Sequence, residues 1–353
     1  MKLNWHRLFG QSYKTRQSAL RVAVDLDDRV EFFGNPLRER FPKDFFTIYE
    51  IAPSRGVTEL DHVRISGWGM VYRRGLPSIY SENFASRTAV ETMRECFRSY
   101  KPGQPRVELK EATLIAPTYV ARGSYGDYWI EWLLALCYHQ PPRSSPILVF
   151  EKNYVRYCEE DFLKLGYRMH IMKADGICVE KLHVLEPAQQ FDNFTHSVVE
   201  SLRAAFPAMP APFGQSKDRK VYLCRHGFHR ETRGVSSEAR GFVNWQEIVD
   251  RLVLAGFEIV YPHNLTNQEL RQHLQGVKVL VADHGAAMFH AVWDPPAILV
   301  ELVNPAWFIP CFIKLSQKLP VRKHYVLTAS DGAELPLGIL DDILARITVG
   351  LRK

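Results

Sequence analysis

The chain has 353 residues, long for one compact core and of a size that favours two domains at roughly 150 residues each. Apolar residues make up 46% and charged residues 24%, without low-complexity tracts or long like-charge blocks, which excludes wholesale disorder. The net charge of +6 suits anionic partners such as nucleotide diphosphates or lipid phosphates. No basic stripe interleaved with aromatics appears, so a nucleic-acid partner is not expected.

Short apolar runs alternate with helix-length segments, an α/β pattern. Residues 1–21 carry Lys2, Arg7, Lys14, Arg16 and Arg21 without an acid, beside Leu3, Trp5, Leu8 and Phe9. They suit either a solvated start to the fold or a surface helix touching anionic lipid. In the first half, residues 20–24, 45–51, 113–116 and 147–150 read as strands, and 89–99, 128–138, 159–165 and 194–206 as helices. Three prolines, Pro207, Pro210 and Pro212, open a polar stretch that reads as a linker over 207–220. Domains are therefore expected at 1–206 and 221–339, with a final helix at 340–353 that crosses back to the first domain. In the second half, strands at 220–223, 257–261, 277–282 and 297–302 alternate with helices at 245–255 and 266–274. That succession is half of a doubly wound sheet, which binds ligands at the C-terminal ends of its strands.

Those strand ends carry the chemistry. Asp283-His284-Gly285-Ala286 reads as a turn between a strand and a helix, suited to aim free N–H groups at an anion. An ordinary tight connection with a satisfied histidine is the plain alternative. Arg225, Arg230, Arg233 and Arg240 lie in one loop, and guanidinium forks match phosphate oxygens. Glu301 ends a strand, where a carboxylate is suited to ribose hydroxyls. Asp25 and Asp27 read as an exposed acidic turn or an Asp-x-Asp metal motif, the former favoured. The six cysteines are scattered without a Cys-x-x-Cys pair, so reduced thiols are expected rather than a zinc site or disulfide framework.

Taken in order, these residues resemble glycosyltransferase family 61. The resemblance runs over 221–305 and, more loosely, 123–136. It comprises a strand leading to Arg225, then Arg240 ahead of Asn244, with Trp245 where the family has glutamate. Gly256-Phe257 and Leu265-Thr266 follow, then His284-Gly285-Ala286, with His290 at the family's usual Asn position. Trp293-Asp294-Pro295-Pro296 and Glu301 complete the pattern. In the first half, the family's His and later acid fall on Asp127 and Glu131, four apart and on one helix face.

The resemblance implies a GT-B fold, with two facing Rossmann-like domains around a cleft. It implies inverting transfer from a nucleoside-diphosphate sugar to a hydroxyl of a glycan or lipid-linked glycan in capsule or lipopolysaccharide synthesis. Asp127 is then the general base with Glu131 as helper. Arg225, Arg240, Asn244, His284, Gly285, Ala286, His290 and Glu301 form the donor site, with no metal and no cofactor beyond the donor. The absence of a signal-like h-region or membrane-length apolar run leads to an expected cytoplasmic location, with peripheral contact at the inner face of the membrane. Two other readings compete. One is a non-catalytic sugar- or nucleotide-binding module. The other is a histidine phosphatase, suggested by Arg225-His226-Gly227 and Asp283-His284-Gly285 but with those motifs too late and too close together.

Overall fold

The computed structural model describes residues 22–24, 26–34, 37–40, 48–50, 56–65, 71–73, 76–77, 107–115, 126, 128–150, 156–172, 177–186, 188, 194–206, 218–227, 231–232, 235–236 and 241–351. The chain forms two compact units. One comprises Met1–Val22, Glu50–Phe191 and Thr195–Ala205; the other comprises Ala23–Tyr49, Asp192–Phe194 and Phe206–Lys353. The expected helix at 89–99, the basic segment at 1–21 and most of the expected linker lie outside the described residues. No helix among the described residues is long and apolar enough to cross a membrane.

After a short strand at Val22–Val24 that pairs with Ile48–Glu50, strand β1 (Val30–Gly34) does not belong to the unit in which its place in the sequence would put it. It pairs in parallel with Lys323–Thr328 at the far end of the chain, and α1 (Leu37–Arg40) follows it. A first domain over 1–206 is thus interrupted, because Ala23–Tyr49 packs with the second unit.

The first unit has a seven-stranded mixed sheet of β2 (Val57–Ile65), β3 (Val71–Arg73), β4 (Leu76–Pro77), β5 (Val107–Ile115), β6 (Ile147–Phe150), β7 (Met169–Met172) and β8 (Ile177–Leu185). Their order is β4-β3-β2-β8-β5-β6-β7. Strands β8, β5, β6 and β7 run parallel, and β2 continues the sheet antiparallel to β8. Between β5 and β6 lies a π-helical turn (Tyr128–Leu133) that leads into α2 (Leu134–His139). Tyr128, Trp129, Trp132, Leu133 and Leu136 are all buried, as expected of a helix that is apolar all round. Tyr128 places its hydroxyl on Asp161 of α3 (Arg156–Lys164), and Trp132 stacks on Phe162 of the same helix. Helix α4 (His196–Ala205) closes this part of the chain.

The second unit is built on six strands that are all parallel. They are β1 together with β9 (Arg219–Leu223), β10 (Glu258–Val260), β11 (Val277–Asp283), β12 (Ile298–Val303) and β13 (Lys323–Thr328), in the order β10-β9-β11-β12-β13-β1. From β9 the chain moves to β10 on one side and then returns to β11 on the other. That reversal between β9 and β11 is the switch point at which doubly wound sheets open a crevice. Helix α5 (Trp245–Leu254) connects β9 to β10, and α6 (Asn267–Leu274) connects β10 to β11. Thr266 starts α6 with a complete capping box: its hydroxyl accepts from the Glu269 N–H, and the Glu269 carboxylate accepts from the Thr266 N–H.

Strand alternation sorts the two faces. Val300, Leu302, Tyr325 and Leu327 join one core with Ile248 and Leu252 of α5. The opposite face packs Val30, Leu37, Val303 and Val326 against Phe308 and against Ile313 of α7 (Cys311–Ser316). The final helix, α8 (Leu337–Gly350), packs within the second unit. Its Leu340, Ile343 and Ile347 recur at helical spacing and join the α5 side of the second core, which accounts for the position. Ile343 is fully buried. Ile343→Ala should therefore lower stability by about 2–5 kcal/mol, read as a lower urea midpoint with the slope retained.

Candidate active site

The C-terminal ends of β9 and β11 lie side by side, because Leu223 is in register with Ala282. Asp283 joins them. Its Oδ1 accepts from the Tyr222 hydroxyl at 2.7 Å, and its Oδ2 accepts from the Arg225 backbone N–H at 2.7 Å. Burial pushes the Asp283 pKa up to about 6, against the opposing effects of those two hydrogen bonds and the Arg225 charge. Burial and the nearby Asp283 raise Tyr222 well above its ordinary range.

Arg225 then folds over the turn, and its Nη1 donates to the His284 carbonyl at 3.2 Å. A Cβ on Gly285 would lie 2.6 Å from that same Nη1, whereas the Gly285 φ of 168° is open to any residue. A side chain here would push the end of Arg225 off the turn rather than strain the backbone. A 3-10 segment, Ala286–Val292, follows, so Ala286 stands at the edge of the turn.

The His284 ring turns inward. Its Nδ1 is 2.5 Å from Glu301 Oε1, and its Nε2 accepts from the Ile309 N–H at 3.3 Å. Phe308 and Phe312 flank it at 5.6 and 5.3 Å between ring centres. Both ring nitrogens of His284 are engaged, which leaves no lone pair on this ring open to take a phosphoryl group. Glu301 has no solvent exposure, and its second oxygen, Oε2, lies 3.2 Å from His324 Nε2. Burial alone would raise the Glu301 pKa, but the two histidines against its oxygens, His284 by a hydrogen bond and His324 by close approach, bring it down to about 2.

Several of the expected donor-site residues have partners within the protein. Glu301, expected at a ribose, is sealed between two histidines. Asn244 donates from Nδ2 to the Leu335 carbonyl at 2.9 Å and accepts from the Leu335 N–H at 3.0 Å, so its amide clamps the chain ahead of α8. His290 is buried under the turn, where burial and the Arg271 charge hold its pKa well below the ordinary value. Arg271 itself lies between Phe206 and Trp293, 4.3 and 4.4 Å from their ring centres. Arg225, His284, Gly285 and Ala286 do come together. Asp127, Arg230, Arg233 and Arg240 lie outside the described residues, and of Glu131 only the backbone is described. Asp25 is also outside them, while Asp27 is bound to Arg29 at 2.6 Å. Among the described residues no group of three or more His, Cys, Asp or Glu is placed to hold a metal ion.

Tyr222 and His324 were not legible as site residues. The sequence signal for His324 is a histidine at the same strand parity as Val326, inside an apolar run that was not read as a strand. Trp245, where the resemblance has glutamate, stacks against the exposed His226 ring, with centres 3.5 Å apart and planes 10° from parallel.

The family model described as Glycosyltransferase 61 matches residues 75–300, more than half of the chain. The chain belongs to glycosyltransferase family 61. It is accordingly a glycosyltransferase, acting on a sugar donor and an acceptor. Comparison with curated proteins found no match.

In this glycosyltransferase the Glu301 pKa lies below its ordinary 4.5. Its pairing therefore stabilises the fold fully above pH 4.5 and is lost as pH falls toward about 2. Glu301→Gln should cost about 3–5 kcal/mol at neutral pH, because a buried pair is broken. It should also flatten the acid-side fall in the urea midpoint. A midpoint that falls equally in both proteins would show that Glu301 does not carry the acid dependence.

Proposed function

We propose that this glycosyltransferase moves a sugar, with inversion, from a nucleoside-diphosphate sugar to a hydroxyl of a growing surface glycan. One observation carries the reading: the Arg225 guanidinium is laid against the His284-Gly285-Ala286 turn at the reversal of a parallel sheet. A guanidinium beside a turn that opens a 3-10 segment is suited to diphosphate oxygens. On this reading Arg225 and Arg240 hold the donor diphosphate and neutralise it as it leaves, the role a divalent metal takes in other transferases. His284 acts from behind the turn rather than as a ligand.

On this reading the enzyme is of GT-B type, with the donor bound by the second unit and the acceptor by the first. The first unit supplies the base from Asp127, helped by Glu131, the one acid in the run Tyr128–Leu133 and α2. An inverting displacement needs that base on the face opposite the leaving diphosphate. A carboxylate serves without an unusual pKa, because the hydroxyl proton becomes acidic only as the bond forms. Lipid-linked or lipopolysaccharide acceptors fit a cytoplasmic enzyme that meets the inner membrane face through its basic start.

The test is a panel of nucleotide sugars, scored for thermal stabilisation and for hydrolysis or transfer in the presence of EDTA. Stabilisation and turnover with one donor are expected; stabilisation without turnover under any acceptor would instead indicate a binding module. Hydrogen bonds to charged groups contribute about 1.5–3 kcal/mol each, so Arg225→Ala should weaken nucleoside-diphosphate affinity about tenfold or more. Unchanged affinity removes the diphosphate from this turn. Asp127→Asn should lower turnover by about 10²–10⁴ with donor affinity and melting temperature retained. A variant that keeps more than about a tenth of the turnover rules out this base.

A further inference from the structure

The polar groups behind His284 form a chain whose two ends have fixed polarity. At one end stands the Ile309 backbone N–H, which can only donate, so the His284 Nε2 it meets at 3.3 Å holds a lone pair. His284 then has its proton on Nδ1, donated to Glu301 Oε1 at 2.5 Å. At the other end Ser316 gives its hydroxyl proton to the Ile313 carbonyl at 2.8 Å, and a carbonyl can only accept. The Ser316 oxygen therefore accepts from His324 Nδ1 at 2.9 Å, which places a proton on that nitrogen. His324 Nε2 stands 3.2 Å from Glu301 Oε2, and both side chains are fully buried. A lone pair on Nε2 would face the carboxylate charge without solvent to screen it. A second proton makes the contact an ion pair.

We propose that His324 is a positioning residue of this site: a buried imidazolium that neutralises Glu301 and so leaves His284 neutral, with its Nε2 lone pair fixed beside the Gly285 turn. Its effect on transfer rests on the function proposed above; the charge assignment does not. Glu301 has one negative charge and two imidazoles in reach. Without His324 the carboxylate draws a second proton onto His284. The new Nε2–H then meets the Ile309 N–H, donor against donor, and the hold on residues 304–309 is lost. That loop also carries Asn304, whose Nδ2 donates to the Gly241 carbonyl at 3.3 Å, directly after Arg240 in the chain. His324 thus acts through Glu301 and His284 on the backbone next to a candidate diphosphate ligand.

The surroundings of His284 contain few other charges. Arg225 bonds its carbonyl, and Asp283 precedes it in the chain, bonded to Tyr222 and the Arg225 N–H. Phe308 and Phe312 face the ring, and α7 also carries the buried Lys314.

The experiment is long-range proton–nitrogen NMR on the full chain labelled with 15N-histidine, with His324→Phe and His324→Gln as companions. At pH 7 the wild type should show His324 with both ring nitrogens protonated and His284 as the neutral Nδ1–H form. In His324→Phe, His284 should become doubly protonated near neutral pH. Turnover there should fall about tenfold or more and recover as pH is raised. His324→Gln, which keeps a donor but no charge, should behave like the phenylalanine variant. A neutral His324 in the wild type overturns the proposal, as does an unchanged His284 ring in His324→Phe. Altered His284 protonation with unchanged turnover overturns the positioning role. If the variants do not fold, the wild-type ring pattern still decides. A wild type that shows the expected rings but turns over no donor counts against the transferase mechanism and leaves the charge assignment standing.

Discussion

An ionised carboxylate with no solvent exposure is tolerated only when donors or counter-charges stand against it, and Glu301 of β12 lies between two histidines. Strand alternation turns it away from Val300 and Leu302, toward the face covered by Phe308 and α7. There it meets His284, one residue beyond β11, and His324, the second residue of β13. One side chain on a central strand is thereby tied to both neighbouring strands. The same His284 receives Ile309 from the loop that follows β12. The direction of the turn at the strand ends follows from how this charge is satisfied. The inward-facing ring leaves the outer edge of the turn to Gly285, Ala286 and the Arg225 guanidinium.

Two acids on adjacent strands end up with opposite pKa shifts, and their partners explain why. Asp283 is approached by a tyrosine hydroxyl and a backbone N–H, and burial wins, pushing it up to about 6. Glu301 is more deeply placed but has two imidazoles, and they win, holding it at about 2. Neutral donors offset part of the cost of burying a charge; cationic or proton-sharing donors offset more. Asp283 therefore titrates within reach of mildly acidic conditions, and its ionisation is coupled to the guanidinium lying over the turn.

The sequence revealed much of this architecture where local signals were strong. The strand at Val277–Asp283, the turn after it, the Thr266 capping box and the strand carrying Glu301 were all readable from apolar runs and cap residues. Strands β1 and β13 were not, because each is a short run, and β1 pairs only with a segment about 290 residues away. The same limit explains the ligands that moved. The apolar run places Glu301 near the end of a strand but does not show that α7 and β13 cover its outward face. Asn244 and His290 kept their places in the motif order, yet one amide faces Leu335 and the other ring lies in the interior. Motif spacing fixes the backbone position of a side chain, and packing decides which way it points.

The charges at the turn bear on the arginine-rich loop. Arg225 lies close to Asp283, so at neutral pH its charge is partly compensated before any ligand arrives. With His324 offsetting Glu301 and His284 neutral, the turn has little positive charge to spare for a diphosphate. A donor held here needs further cations. Among nearby sequence segments, the stretch from Arg225 to Arg240 carries Arg230, Arg233 and Arg240 itself. Gly241, the next residue, is bonded to Asn304, and Asn304 belongs to the loop that ends on His284. The buried carboxylate and the arginine loop are thus two ends of one arrangement. The first fixes the shape of the turn without lending it charge, and the second brings the charge that transfer of an anionic donor requires.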